Sequence, residues 1–273
     1  QADINHDQDA ILDQLDIFRP EVVVDFAGQG MVAESWQDPA QWYNTNIVAK
    51  VKLHDQLRLR VWMERYVRIS TPEVYGSQES LLEETWQYNP STPYAVSHAA
   101  VDQSLRAFHQ QYDFPVIFTR FANFYGPGQQ LYRIVPRTII YAFLGKKLQL
   151  QGGGTSVRAF IFGVDVADAV MRSINSGVVG EAYHFSPERF LTIRQVIEII
   201  CSQLDVNFAD LVEIAPDRLG KDQAYLMDSK KARKELGWQE SVTFEEGVDA
   251  TVRWVKSSFD EISSLPLDYI HKI

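Results

Sequence analysis

Residues 68–77, RISTPEVYGS, and residues 89–100, NPSTPYAVSHAA, decide how this chain is read. The apolar run 66–70 reads as a strand, and it gives way to loop where Ser70, Thr71 and Glu73 gather around the breakers Pro72 and Gly76. Twenty-one residues beyond Glu73, Tyr94 opens a helix behind Pro93. His98 follows four residues later, on the same helical face as Tyr94. A strand-end hydroxyl, a neighbouring carboxylate and a phenol with a basic neighbour form a proton-transfer set when strand and helix pack side by side.

Working outward, residues 7–15 fit a short amphipathic helix, and 22–26 is an apolar run of the kind buried in a parallel sheet. That run leads into the small residues Ala27, Gly28, Gln29 and Gly30, which let a ligand approach the backbone. A helix is predicted over about 40–59, a second over 94–111 and a further buried strand over 116–120. Helices and strands thus alternate from 7 to 120, as in an α/β fold with a doubly wound parallel sheet. Its site is expected at the carboxyl ends of the strands, where Gly28, Thr71 and Phe121 fall.

The second half is more varied. Residues 123–128 read as a turn-rich loop, 134–144 as a helix, 148–150 as a short strand and 152–154 as a flexible bend. Asp165 is the expected N-cap of the next helix, and Thr192 of the one through Ile199 and Leu204. A short basic helix ends at Gly237, and a last helix from about 244 to 259 presents Val248, Val252 and Val255 at helical spacing.

Bulk properties narrow the function classes. Over 273 residues, 45% hydrophobic and 23% charged is an ordinary globular composition. The net charge of -10 argues against a surface built for nucleic acid or anionic membrane. The single Cys201 excludes an intrachain disulfide and a cysteine metal cluster, and reads as a small buried hydrophobe. The lone histidines make no zinc spacing, so no metal is expected. With no membrane span and no signal peptide in view, the default is a soluble cytoplasmic protein. Trp36, Trp42 and Tyr43 are expected to pack a loop over the sheet, since no basic aromatic stripe supports base stacking.

These motifs together resemble the extended short-chain dehydrogenase/reductases that modify nucleotide sugars, and within them the NDP-hexose 4,6-dehydratases of the dTDP-glucose and GDP-mannose type. Residues 70–76 resemble the family's Ser-Thr-x-Glu-Val-Tyr-Gly stretch, Tyr94 and His98 its Tyr-x-x-x-Lys helix, and 120–127 its Arg-x-x-Asn-x-Tyr-Gly-Pro loop. Arg158 with Phe160 and Ile161, and 218–222 with 228–238, resemble its nucleotide-diphosphate and C-terminal segments. The resemblance implies a Rossmann-like NAD-binding domain over 1–150, with segments returning from the second half, and a mainly nucleotide-sugar-binding lobe over 151–273. It implies NAD as cofactor and a nucleotide-diphosphate sugar as partner. It also implies a homodimer through helices 45–59 and 94–111, although Val48, Val51, Leu105 and Phe108 could equally attach those helices to the sheet.

Two departures stand out. The family's glycine-rich fingerprint is missing, and Gly28-Gln29-Gly30 lies on a later strand. Roughly 50 residues are therefore expected to precede Gln1, so that a complete first βαβ unit can hold the pyrophosphate. The other departure is His98 in place of lysine, an imidazole that is mostly neutral at neutral pH where the family has a permanent cation.

In the roles that the resemblance implies, Tyr94 takes the proton of the sugar 4-hydroxyl, Thr71 shares it, Glu73 abstracts the C5 proton and His98 supports Tyr94. Pro72 stands where many dehydratases carry an acid, so Glu73 acts twice or a water assists. The implied cofactor side comprises Asp3, Ile4, Ala27, Gly28, Gln29, Asn46, Ser70, Tyr94, His98 and Phe121. The implied substrate side comprises Thr71, Asn123, Arg158, Arg218 and Lys221, arginine being suited to a diphosphate. Plainer readings stand beside these: Thr71 as a cap, Glu73 as a solvated carboxylate, His98 as a packing residue, Asn46 as a partner for buried backbone and the arginines as surface ion pairs. The alternatives to dehydration are 4-epimerisation, UDP-glucuronate-type decarboxylation, or a sugar-nucleotide-binding homologue impaired by Pro72 and His98.

Overall fold

The computed structural model describes residues 2–216 and 223–271. In chain order its elements are α1 (Gln8–Phe18), β1 (Val22–Asp25), α2 (Pro39–Tyr43), α3 (Lys50–Leu57), β2 (Arg65–Ser70), α4 (Pro93–Tyr112), β3 (Val116–Phe121), β4 (Asn123–Tyr125), α5 (Ile134–Leu144) and β5 (Leu148–Gln151). There follow β6 (Val157–Phe162), α6 (Gly163–Ser176), β7 (Ala182–Phe185), β8 (Phe190–Thr192), α7 (Ile193–Leu204), α8 (Phe208–Leu211), β9 (Val212–Ala215), α9 (Lys230–Leu236), α10 (Phe244–Ser257) and α11 (Phe259–Ser263).

The chain divides into two compact units. The first takes in Gln1–Phe121, Asp168–Phe185 and Met227–Trp238; the second takes in Ala122–Ala167, Ser186–Leu226 and Gln239–Ile273. The division falls at Phe121 and not at 150, because β4, α5 and β5 build the second unit's sheets and core.

In the first unit the order β1-β2-β3-β7 makes a parallel sheet, with Val24 beside Val67, Val67 beside Ile117 and Phe118 beside Ala182. The Rossmann-like α/β reading holds. All six residues of β3 are buried, which is why VIFTRF reads as an almost continuous apolar run and not as an alternating one. Leu57, Tyr66, Leu105, Phe114, Val116 and Phe118 form its core, each apolar side chain contributing about 1.5–3 kcal/mol on burial. Leu105 is fully buried there, so of the two roles open to it, attachment to the sheet is the one seen.

The helix expected over 40–59 is present but interrupted. Residues Asn44–Ala49 form a π turn between α2 and α3, an insertion of the kind that occurs at functional sites. The helix α4 starts as the sequence indicates, with Pro93 in its first turn and Thr92 Oγ1 accepting from Ala95 N at 3.2 Å. Asp113 ends it in the left-handed conformation.

The second unit contains a three-stranded sheet, β4-β6-β8, and the pair β5-β9. Its core packs Ile139, Ile140, Val196, Ile200, Val248 and Val252 from α5, α7 and α10. Two local expectations are corrected. Residues 123–125 are a strand, since Asn123 pairs with Phe160 in parallel register. Asp165 is not an N-cap: it lies within α6 and its carboxylate accepts from Ser241 N, Ser241 Oγ and Val242 N, pinning the loop before α10. Thr192 caps α7 as expected, in a reciprocal box with Gln195. Cys201 is buried in the second unit's core.

Candidate active site

Strand β2 ends at Ser70, and the chain then makes a tight turn over Pro72–Tyr75 that packs against α4. Gly76 closes it with φ +69°, and a Cβ there would meet the Asn89 carbonyl oxygen at 2.4 Å. A side chain at this position would displace the Asn89 backbone, so glycine here helps to fix the turn carrying Thr71 and Glu73. Thr71 is buried and its Oγ1 accepts from Glu73 N at 3.3 Å, so its capping role is real. Glu73 is half-buried in the same turn, not a freely solvated loop carboxylate.

On α4, Tyr94 and His98 meet one turn apart, their ring centroids 4.5 Å apart and tilted by 48°. The main chain around Tyr94 is held from two directions. Its N–H donates to the buried Ser35 Oγ at 3.2 Å, and its carbonyl accepts from Ser97 Oγ at 2.7 Å. Ser97 in turn accepts from Asn46 Nδ2 at 2.9 Å. Asn46 Oδ1 accepts from Gln29 N at 2.7 Å, and its Nδ2 donates to Gln29 O at 3.0 Å. Asn46 therefore clamps the turn after β1 to the helix that carries Tyr94, which gives the π turn around it a structural purpose.

Behind His98 lies a buried ionic network. Arg68 Nη2 is 2.9 Å from His98 Nδ1, and its Nε is 3.3 Å from Asp102. Lys50 Nζ lies 2.5 Å from Asp25, and Arg68 is 3.6 Å from the same carboxylate. Asp102 also holds Arg120 at 3.1 Å and accepts from Ser70 Oγ at 2.6 Å. Arg120 lies against the rings of Tyr75, Trp86 and Tyr88, which cover faces of its guanidinium that have no oxygen partner.

Burial sets the protonation states. It pushes the His98 imidazole well below its usual value, and the Arg68 and Lys50 charges push it further against a weaker pull from Asp25. Burial and Arg68 bring Lys50 down to about 8, although Asp25 opposes them. Burial disfavours the Asp25 carboxylate, but Lys50 and Arg68 overcome that and hold it below the ordinary range.

The predicted residues are placed as follows. Thr71 and Glu73 lie in the turn after β2, which packs against the helix α4 that carries Tyr94 and His98, and Asn46 reaches the same helix through Ser97. Ala27 and Gly28 are exposed at the end of β1. Ser70 points its hydroxyl at Asp102, and Phe121 is buried and stacked on Phe185 at 5.1 Å. Asp3 is exposed and accepts from Asn5 N at 2.7 Å, while Ile4 packs on the first unit's core. Asn123 and Arg158 belong to the second unit. Arg158 is buried, donates to the carbonyls of Val157 and Gln223 and lies 4.0 Å over the Tyr225 ring. Arg218 and Lys221 lie outside the described residues.

The sequence reading missed Asp25, Lys50, Arg68, Asp102 and Ser97. A signal was present: Asp25, Arg68 and Arg120 are charges inside strands that read as apolar runs, and a charge at a buried strand position needs a partner. Among the described residues no group of three or more His, Cys, Asp or Glu is arranged to hold a metal ion, and no helix is long and apolar enough to cross a membrane. The histidines away from the site meet other partners: His54 pairs with Tyr66 and His184 with Tyr75, each at 2.8 Å.

The chain belongs to the extended short-chain dehydrogenase/reductases that modify nucleotide sugars: a family model described as GDP-mannose 4,6 dehydratase matches residues 1–251. A dTDP-glucose 4,6-dehydratase from Neisseria gonorrhoeae is 33% identical over 259 residues, covering 87% of this chain and 75% of that protein. The crystal structure of a dTDP-glucose 4,6-dehydratase from Streptomyces venezuelae with NAD bound superposes with a TM-score of 0.89 at 30% identity, covering 95% of this chain and 80% of that one. A UDP-glucose 4-epimerase from Thermus thermophilus in complex with NAD superposes at 0.87 with 26% identity, covering 94% and 84%.

Proposed function

We propose that this chain is an NAD-dependent nucleotide-sugar 4,6-dehydratase, a lyase of carbohydrate biosynthesis. The observation that carries the reading is the packing of the Thr71–Glu73 turn against the helix of Tyr94, in a chain of this family. The nicotinamide end of the cofactor fits the residues present. Gly28 packs against Asn46, whose Oδ1 a Cβ there would meet at 3.1 Å, and Ala27 and Gly28 are exposed at the end of β1, where a ligand can lie against bare backbone. Ala27, Gln29, Tyr94 and His98 would flank it, with Asp3 and Ile4 toward the adenine and with Ser70 and Phe121 forming strand-end wall. A glycine-rich diphosphate turn is not among the 273 residues.

Bound NAD supplies the acceptor for the C4 hydride and its later return to C6. The protein's own groups handle the protons. Tyr94 accepts the proton of the 4-hydroxyl, with Thr71 Oγ1 sharing the hydrogen bond, and the ketone formed at C4 acidifies C5. Glu73 then takes the C5 proton. The C6–O bond breaks, and because Pro72 has no proton to give, the acid form of Glu73 protonates the departing hydroxyl as water. The family resemblance assigns the substrate side to Asn123, Arg158, Arg218 and Lys221, of which Asn123 and Arg158 belong to the second unit and Arg218 and Lys221 lie outside the described residues. The same reading makes the protein cytoplasmic and homodimeric, the latter supported by exposed Val48 and Val96 on the helical segments 44–57 and 93–112.

A second reading, 4-epimerisation, takes support from Pro72, since an epimerase needs no acid at C6. Incubation of full-length protein with dTDP-, GDP-, CDP- and UDP-sugars, followed by mass spectrometry, separates the two. Loss of one water is expected. A stereoisomer of unchanged mass makes the enzyme an epimerase, loss of carbon dioxide makes it a decarboxylase, and unchanged sugars in the presence of bound NAD overturn the enzymatic reading.

A further inference from the structure

The network behind His98 is not charge-balanced. Among the almost wholly buried groups, Lys50, Arg68 and Arg120 bring three cations and Asp25 and Asp102 two carboxylates, 3 minus 2 leaving one positive charge, with the half-buried Glu84 interacting with Arg120 alone of the three. A buried excess charge is costly and calls for an anion to answer it. The groups that face His98 are Tyr94 on its own helix, Arg68 on β2, Lys50 on α3 and Asp25 on β1, with Asp102 one turn further along α4. Of these, only Tyr94 is both half-buried and able to become a new anion during the proposed reaction.

The Arg68–His98 bond fixes more than a position. A guanidinium only donates, so Nδ1 of His98 must accept, and the ring's single proton therefore resides on Nε2. A doubly protonated imidazole has no lone pair to offer Arg68 and is incompatible with this bond.

We infer that Arg68 is a positioning residue that acts through His98: it locks the imidazole as the neutral Nε2–H tautomer, and with Lys50 it supplies from behind that ring the positive charge that favours the Tyr94 phenolate. The inference rests on the proposed role of Tyr94 as the proton acceptor. His98 is then a spacer and a hydrogen-bond donor, and the cation lies one layer deeper than a lysine at position 98 would place it. The depressed basicity of His98 agrees with this, since burial and both cations oppose its protonation. Because Arg68 is fully buried and paired with two carboxylates, its charge does not titrate with the reaction.

The test uses NMR on the purified full-length protein and needs no turnover. Long-range ¹H–¹⁵N spectra of labelled histidine are expected to show His98 with an unprotonated Nδ1 and a protonated Nε2, unchanged from about pH 5 to 8 where a free imidazole titrates. A proton on Nδ1, or titration in that range, overturns the inference without any variant having to fold. Separately, ¹³Cζ-labelled tyrosine reports the titration of Tyr94, assigned with Tyr94→Phe. In His98→Gln the Tyr94 midpoint is expected to stay within about half a pH unit of the parent, whereas in Arg68→Gln or Lys50→Met it rises by roughly one to two units, as expected for losing a unit charge a few ångströms away at an effective dielectric near 20. The reverse order, with His98→Gln giving the large shift, overturns it. If Tyr94→Phe keeps full turnover while these NMR results hold, the proposed function fails and the electrostatic coupling stands.

Discussion

Lys50 and Asp25 face each other at 2.5 Å across the end of β1, both almost wholly buried, and Arg68 shares the same carboxylate at 3.6 Å. One carboxylate thus answers two cations, and the pair is part of the floor beneath His98 rather than an isolated salt bridge.

Removing that carboxylate strands both cations. Asp25→Asn is expected to cost about 3–5 kcal/mol of stability at neutral pH, the usual range for breaking one side of a buried pair. The pH dependence has a definite sign. Asp25 is held below its ordinary value in the folded state, so its contribution is fully present above the unfolded value of about 3.9 and is lost as the pH falls through the lower folded value. Denaturant titrations of parent and variant should therefore converge only in acid. A gap that stays constant down to the acid transition would show that the Asp25 charge is not what stabilises the fold.

Asn46 makes three hydrogen bonds that no other side chain could reproduce, one accepted from Gln29 N and two donated, to Gln29 O and Ser97 Oγ. Asn46→Ala leaves these groups without partners and is expected to cost about 1–3 kcal/mol in chemical denaturation. Asn46→Asp should be at least as damaging, since it keeps the acceptor but loses both donated bonds and buries a charge. Equal stability of the parent and Asn46→Asp would mean that the clamp between the β1 turn and α4 is unimportant.

Glu73→Gln separates the steps of the proposed reaction. The variant keeps the turn, because the cap from Thr71 reaches the main-chain N–H of residue 73 and not its side chain. It should fold normally and lose dehydration by roughly 10²–10⁴-fold, the span of a general-base contribution. Exchange of the sugar C5 proton with solvent deuterium should vanish in parallel. Persistent C5 exchange in the variant would assign the base to another residue.

The parts of the fold visible in the sequence were those governed by local rules. Pro93 announced α4, Thr192 announced α7, and the strands β1, β2 and β3 declared themselves as short apolar runs bounded by turn residues. The turn that carries Thr71 and Glu73 was legible because Pro72 and Gly76 bracket it, and Gly76 proves to be required by its φ and by Asn89. Partners brought together by tertiary packing were not legible. Asp165 has the composition of a cap, but its acceptors are engaged by Ser241 and Val242, 76 and 77 residues away. The π turn at 44–49 cannot be read from periodicity, since it is the Asn46 clamp that stabilises the wider turn. The ionic floor was missed for the same reason: each of Asp25, Lys50, Arg68 and Asp102 looks like an ordinary charge until β1, β2, α3 and α4 converge.

Restoring the family's residue should not improve the enzyme. His98→Lys places an ammonium beside Arg68 and Lys50, in a site that already carries one excess positive charge. Like charges at this separation and burial repel, so the variant is expected to be less stable than the parent and to turn over no faster. Removing Arg68's charge at the same time should relieve the conflict. In a double-mutant cycle, His98→Lys/Arg68→Met is expected to be more stable and more active than the sum of its single substitutions, by about 1–3 kcal/mol of favourable coupling. Denaturation midpoints and turnover with the identified sugar nucleotide measure that coupling independently. If the two substitutions combine additively, Arg68 and the residue at position 98 do not share one electrostatic task, and the histidine would be a neutral replacement on an otherwise unaltered helix.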